Sequence, residues 1–178
     1  MSATNMPRES LTTASAEETM EYGRRLAARL HPPLLVFLYG ELGAGKTTLA
    51  KGIISGLGAA REEDVTSPTF TLVHEFRAPV PALSPGPQSI PPTQVSGAVE
   101  LATRHSPLAT LFPVFHIDLY RIESHAAFES LGLEDLFAAP AIVLVEWPEK
   151  WTLRTDWPGL RIHLTALEDG RHSIAISS

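Results

Sequence analysis

An α/β fold is predicted by three stretches of this sequence. The first is Leu34–Leu57: an apolar, partly β-branched and aromatic run (LLVFLY), a glycine-rich octapeptide, then a segment where Leu49, Ile53, Ile54 and Leu57 recur at helical spacing. The second is Ala141–Pro148, in which Ile142, Val143, Leu144 and Val145 lead to Glu146, the pattern of a strand buried on both faces. The third is the alternating run Leu160–Thr165, the turn Glu168-Asp169-Gly170-Arg171 and the alternating run Ser173–Ile176, which together read as a β-hairpin.

The octapeptide Gly40–Thr47, GELGAGKT, fits G-x-x-x-x-G-K-[ST] at every fixed position. Its glycines let the backbone wrap a phosphate closely. The helix that follows aims free N–H groups and its positive dipole end at the same point. This chemistry makes Glu41, Leu42, Gly43, Ala44, Gly45, Lys46, Thr47 and Thr48 the expected nucleotide-binding residues. Lys46 would sit on the β- and γ-phosphates and the Thr47 hydroxyl on Mg²⁺. The strand before and the helix after the motif separate it from a chance match in a glycine-rich loop.

Glu146 extends the argument. Four aliphatic residues followed by an acid deliver one carboxylate to the C-terminal edge of a sheet, beside the phosphate loop, and Glu146 is accordingly expected to hold Mg²⁺ directly or through water. A second acid, Asp118, ends the short run Val114–Asp118, where it can serve metal or attacking water, or cap the next turn. On that run Phe115 and Ile117 face one way, His116 and Asp118 the other. His116 reads as a packed or hydrogen-bonded strand residue rather than a ligand. Arg121 is near enough to pair with Asp118 or to face phosphate, and both roles stand.

The length of 178 residues suits one domain spanning the chain. Net charge is −6, and the only lysines are Lys46, Lys51 and Lys150, so no basic run exists to track the backbone of DNA or RNA. The absence of cysteine excludes disulfides, thiolate zinc sites and cysteine nucleophiles. The first residues lack the apolar centre of a signal peptide, and no apolar run reaches the ~20 residues of a membrane span. The expectation is a cytoplasmic protein that does not engage membranes.

Elsewhere the elements follow in order. Residues 1–13 read as a loose polar start. Ser15 and Glu18 form a capping box that opens a helix over about residues 16–30, with Met20, Leu26, Ala27 and Leu30 buried and Pro32-Pro33 as the stop. This helix packs on the sheet or approaches the nucleotide base. From Thr69 to Phe76 the residues alternate as a strand. The preceding Thr66-Ser67-Pro68-Thr69 is either a Ser/Thr turn or a switch loop whose hydroxyls (Thr66, Ser67, Thr69) reach Mg²⁺ or the γ-phosphate. Residues 78–113 hold eight of the fifteen prolines, one arginine and no lysine, and are expected to be an irregular or disordered insertion between two strands that pair antiparallel. Residues 124–137 read as a helix and a second short turn, separated by Gly132. Trp147 is core or flanks the site.

The ordered set GELGAGKTTLAKGI, VTSPTFTLVHEF, FHIDLYRIE, LGLEDLF and IVLVEWPEKW closely resembles the TsaE (YjeE) family over most of residues 15–151 apart from the insertion. The resemblance implies a P-loop NTPase three-layer sandwich with a mixed parallel/antiparallel sheet. It also implies a small ATPase that acts with TsaB and TsaD in threonylcarbamoyl-adenosine modification of tRNA, meeting tRNA only through those partners. By motif, it makes Lys46 and Thr47 the phosphate and Mg²⁺ residues, Glu146 the other metal-side acid, Asp118 the catalytic carboxylate and the TSPTF hydroxyls the switch. Two rivals remain at this level: a free-standing small-molecule kinase, which lacks a visible Arg-rich lid, and a nucleotide-dependent interaction module with little turnover.

Overall fold

The computed structural model describes residues 8–68, 71–80, 111–151 and 155–178. Seven strands form one sheet in the order β1-β7-β6-β2-β5-β4-β3. They are β1 (Glu9–Thr13), β2 (Leu34–Tyr39), β3 (Val73–Pro79), β4 (Leu111–Asp118), β5 (Ile142–Glu146), β6 (Gly159–Ala166) and β7 (His172–Ser177). Strands β6, β2, β5 and β4 run parallel, while β1, β7 and β3 join antiparallel at the two edges. The sheet is therefore mixed, as expected.

The two central strands, β2 and β5, are nearly buried along their length because both of their faces are covered. On one face lie α1 (Ala16–Ala27) and α2 (Lys46–Gly56). Their apolar stripes close over Leu34, Val36, Leu38, Ile142, Leu144, Leu160, Ile162, Leu164 and Ile174. The helices approach backbone to backbone: a Cβ on Gly52 would lie 2.2 Å from the Met20 carbonyl oxygen, so only glycine permits this contact. The other face carries a less regular layer made of α3 (His125–Glu129), a 3₁₀ turn over Leu133–Phe137 and the aromatic residues Phe128, Trp151 and Trp157. That layer packs on β2, β3, β4 and β5. Beyond it, β6 shows the strict alternation of a strand covered on one side only, with Arg161, His163 and Thr165 exposed.

Several boundaries differ from expectation. Residues 9–13 are an edge strand rather than a loose start, paired with β7 from Glu9–Ile176 to Thr13–His172. Helix α1 ends at Ala27, and its buried residues are Thr19, Tyr22, Gly23, Leu26 and Ala27, with Met20 only half-buried. The capping box forms: Ser15 Oγ accepts from Glu18 N at 3.2 Å, while Glu18 Oε2 reaches back to Ala14 N at 2.7 Å. Strand β3 starts at Val73, because Leu72 takes a left-handed backbone (φ 66°). The antiparallel β3–β4 pair extends to Pro79–Leu111, trimming both ends of the expected insertion, while residues 81–110 lie outside the described residues. The described helices include none long and apolar enough to cross a membrane.

Candidate active site

The C-terminal ends of β2, β4 and β5 meet on the helical face of the sheet. The polypeptide leaves β2 through the glycine loop and enters α2 at Lys46, with Gly45 as N-cap in a left-handed conformation (φ 99°). The amides that open α2 lack intrahelical acceptors by construction and face the loop. A Cβ on Gly43 (φ 81°) would meet no atom within 4 Å, so the inner surface of the loop is open to a ligand. A pocket of about 400 Å³ lies against it, reaching Thr47, Ser67, Asp118, Arg121, Glu146 and Trp147.

Lys46 is buried within this arrangement. Its Nζ donates to the carbonyl oxygens of Gly40 at 2.7 Å and Glu41 at 2.9 Å, and sits 3.9 Å from the ring centre of Trp147. Burial holds its ammonium below the usual lysine range, against an upward pull from Glu146, Glu149, Asp118 and Glu41. Thr47 Oγ1 donates to both carboxylate oxygens of Glu146, at 2.9 and 3.1 Å. The loop threonine and the acid at the end of β5 are thus brought together although 99 residues separate them in sequence.

Asp118 is the register partner of Glu146 on the neighbouring strand, about 4.8 Å away across the ladder. Its Oδ2 accepts from Ser67 Oγ at 3.0 Å and its Oδ1 from Tyr120 N at 2.9 Å. Ser67 thus lines the pocket with its hydroxyl on Asp118. Thr66 is exposed, and Thr69 lies outside the described residues. Glu41 contributes its carbonyl to Lys46, Leu42 stands 76% exposed at the loop tip, Ala44 is buried beneath the loop and Thr48 lines the pocket. Arg121 lines the same pocket from an exposed position.

The donors suit a hard divalent cation, since a hydroxyl and two carboxylates are all oxygen ligands. Among the described residues no group of three His, Asp or Glu converges into a protein-only cage. Mg²⁺ fits such a sparse set, because it retains waters and takes one or two carboxylates together with substrate phosphates.

Three contacts escaped the sequence. His116 Nε2 lies 2.8 Å from Glu146 Oε1, both side chains being buried. Trp147 takes a left-handed backbone (φ 59°), which turns its ring over Lys46 and to 4.9 Å from the ring of Tyr120. His172, the first residue of β7, donates from Nδ1 to the Ala44 carbonyl oxygen at 3.0 Å and so props the loop from the far side. The sequence reads His116 as a packed or hydrogen-bonded strand residue and Trp147 as core or flanking the site, without a partner for either. The third depends on strand order, which no local pattern reveals.

The chain is similar to several known proteins. The family model described as "Threonylcarbamoyl adenosine biosynthesis protein TsaE" matches residues 13–84 and 93–174. Among similar proteins, the tRNA threonylcarbamoyladenosine biosynthesis protein TsaE of Haemophilus influenzae is 32% identical over 149 residues, covering 80% of this chain and 73% of that one. The Bacillus subtilis protein of the same name is 33% identical over 135 residues, a match to 76% of this chain and 63% of the relative's length. The Treponema pallidum protein is 28% identical over 163 residues, or 92% and 96% of the two chains. The crystal structure of Bacillus subtilis YdiB superposes with a TM-score of 0.60 at 25% identity, covering 97% of this chain and 86% of that one.

Proposed function

The chain belongs to the TsaE family, and from that premise we propose that it binds and hydrolyses ATP with Mg²⁺ as a cytoplasmic subunit required for threonylcarbamoyl-adenosine modification of tRNA. The observation that carries the reading is the hydrogen bond from Thr47 to Glu146, which joins the phosphate loop to a buried acid at one strand end. The loop amides and Lys46 bind the phosphates. Thr47 and Glu146 would hold Mg²⁺, which would supply positive charge beside the phosphate oxygens. Asp118, fixed by Ser67 and the Tyr120 amide, orients the attacking water and takes its proton as the new bond to the γ-phosphorus forms and the bond to the β-phosphate oxygen breaks. Because Ser67 sits on the loop before β3, the presence or loss of the γ-phosphate is transmitted to that loop, which suits a subunit that reports its nucleotide state to partners.

The partners we assign are TsaB- and TsaD-type proteins, with tRNA met only through them. A net charge of −6 supports that division, since the sequence holds no basic run to track an RNA backbone. The test is reconstitution of tRNA modification from purified TsaB- and TsaD-type subunits, with and without this chain, ATP and Mg²⁺. Sustained modification should require all of them, together with an ATP-dependent association in pull-down. Undiminished multiple-turnover modification without this chain would refute the reading.

A further inference from the structure

Position 116 lies two residues before the end of β4, with Leu144 on β5 and His74 on β3 as register partners and Val114 preceding it on the same face. An aliphatic side chain would fill that place without polar cost. Instead an imidazole is fully buried there, and its Nδ1 has no hydrogen-bond partner among the described residues. Burying a ring with one nitrogen unsatisfied is unfavourable. The compensation is a single contact, Nε2 to Glu146 Oε1 at 2.8 Å. A carboxylate only accepts, so Nε2 carries the hydrogen of this contact.

The backbone of Glu146 is already fixed on both sides. Its carbonyl accepts from Leu119 N at 3.1 Å, and the following amide, Trp147 N, donates to Leu38 O at 3.3 Å. Only the side-chain torsions remain to be set. Oε1 receives two donors, His116 and Thr47, whereas Oε2 receives Thr47 alone at the longer distance of 3.1 Å. Thr47 is also the residue whose hydroxyl would turn to a cation. Were it to turn, the contact of Oε1 with His116 would remain, while Oε2 would lose its contact with Thr47.

We propose that His116 is the positioning residue of the metal-side acid, its Nε2–H pinning Oε1 of Glu146 so that Oε2 meets Mg²⁺ or a Mg²⁺-bound water in one orientation. This rests on the ATP- and Mg²⁺-dependent reading above. Partners of this kind, which orient a metal's ligand from behind, are worth about 10–100-fold in metal affinity or activity.

Two variants of nearly equal length separate the bond from packing. His116→Gln keeps a nitrogen donor near the place of Nε2, and His116→Met fills the space without one. The readout is the Mg²⁺ concentration that half-saturates ATP binding to the full chain, alongside ATP binding measured without Mg²⁺. His116→Met should raise the Mg²⁺ midpoint about 10–100-fold with metal-free binding unchanged, and His116→Gln should recover most of the shift. Equal midpoints for the Gln and Met variants overturn the proposal. Nitrogen NMR of the wild-type chain reads the same bond without any substitution. An Nε2–H bonded to Glu146 that persists after ATP and Mg²⁺ are added supports the proposal; an Nε2 that carries no hydrogen, or loss of the Nε2–H···Glu146 bond on adding them, overturns it. Wild-type chain that binds no ATP at any Mg²⁺ concentration defeats the functional reading itself and the metal role of His116 with it, an outcome distinct from a normal wild-type titration with indistinguishable variants.

Discussion

The two faces of the sheet are built differently. The helical face touches all seven strands and is filled by fully buried aliphatic residues such as Leu49, Ile53, Ile54, Val36 and Leu144. The opposite face covers four strands and is closed by short turns and half-buried aromatic residues, with Phe128 stacked on Trp151 and Phe137 edge-on to Trp157. Lys46, Thr47, His116, Asp118 and Glu146 all belong to the helical side, at the point where its packed strands end. A rigid, close-packed layer holds polar groups to a fixed geometry. The aromatic side supplies the rim, through Tyr120 and Trp147. The candidate site residues thus sit on the face covered by the two long helices.

Breaking each side in turn sharpens the contrast. The largest effect is expected at Asp118. Asp118→Asn should slow hydrolysis by about 10²–10⁴-fold while ATP still binds. Glu146→Gln should act chiefly by raising the Mg²⁺ needed for binding. Identical binding and identical Mg²⁺ titrations for the two variants would abolish that division of labour. Next, Ile53→Ala should cost about 2–5 kcal/mol in urea unfolding, because the buried site cannot collapse around the cavity. Phe128→Ala, on the looser face, should cost nearer 1 kcal/mol. Equal losses would mean that the two faces are equally well packed. Smaller still is a pH effect. Burial lowers the pKa of Lys46, so its charged form is complete below that value and is lost as pH rises through it. ATP affinity should therefore fall on the alkaline side at a lower pH than an exposed lysine would dictate, a trend that titration of binding against pH would reveal. Least of all should change when residues 80–110 are replaced by a short turn. Pro79 and Leu111 are already register partners, and loop length contributes only about (3/2)RT ln n to closure. Melting and ATP titration should match the wild type, and loss of either would make that segment part of the site.

Legibility in the sequence followed the distance over which each feature is encoded. The glycine loop, the Ser15–Glu18 cap and the Asp169-Gly170 hairpin are each written within a few consecutive residues, and each is where the pattern placed it. Glu146 and Asp118 were legible because a buried strand ending in an acid needs only its own run to be seen. Strand β1 was not. Its residues, ESLTT, alternate over five positions with a single aliphatic side chain, and its pairing partner lies at the other end of the chain. The start of β3 was displaced because nothing local announces the left-handed backbone of Leu72, a non-glycine residue that its surroundings hold there. The contact of His116 with Glu146 required knowing that β4 and β5 are neighbours in register, and the support of Ala44 by His172 required the full strand order.

On the proposed function, the ends of β2, β4 and β5 form an ATP site in which Lys46 meets phosphate. Steady-state ATP hydrolysis by Lys46→Ala, measured beside the wild type with thermal melting of both, tests it most directly. Loss of one preorganised donor to developing charge costs on the order of 10²–10³ in rate, so hydrolysis should fall by that factor while melting stays close to the wild type. A Lys46→Ala chain that melts normally and hydrolyses ATP at the wild-type rate would contradict the account.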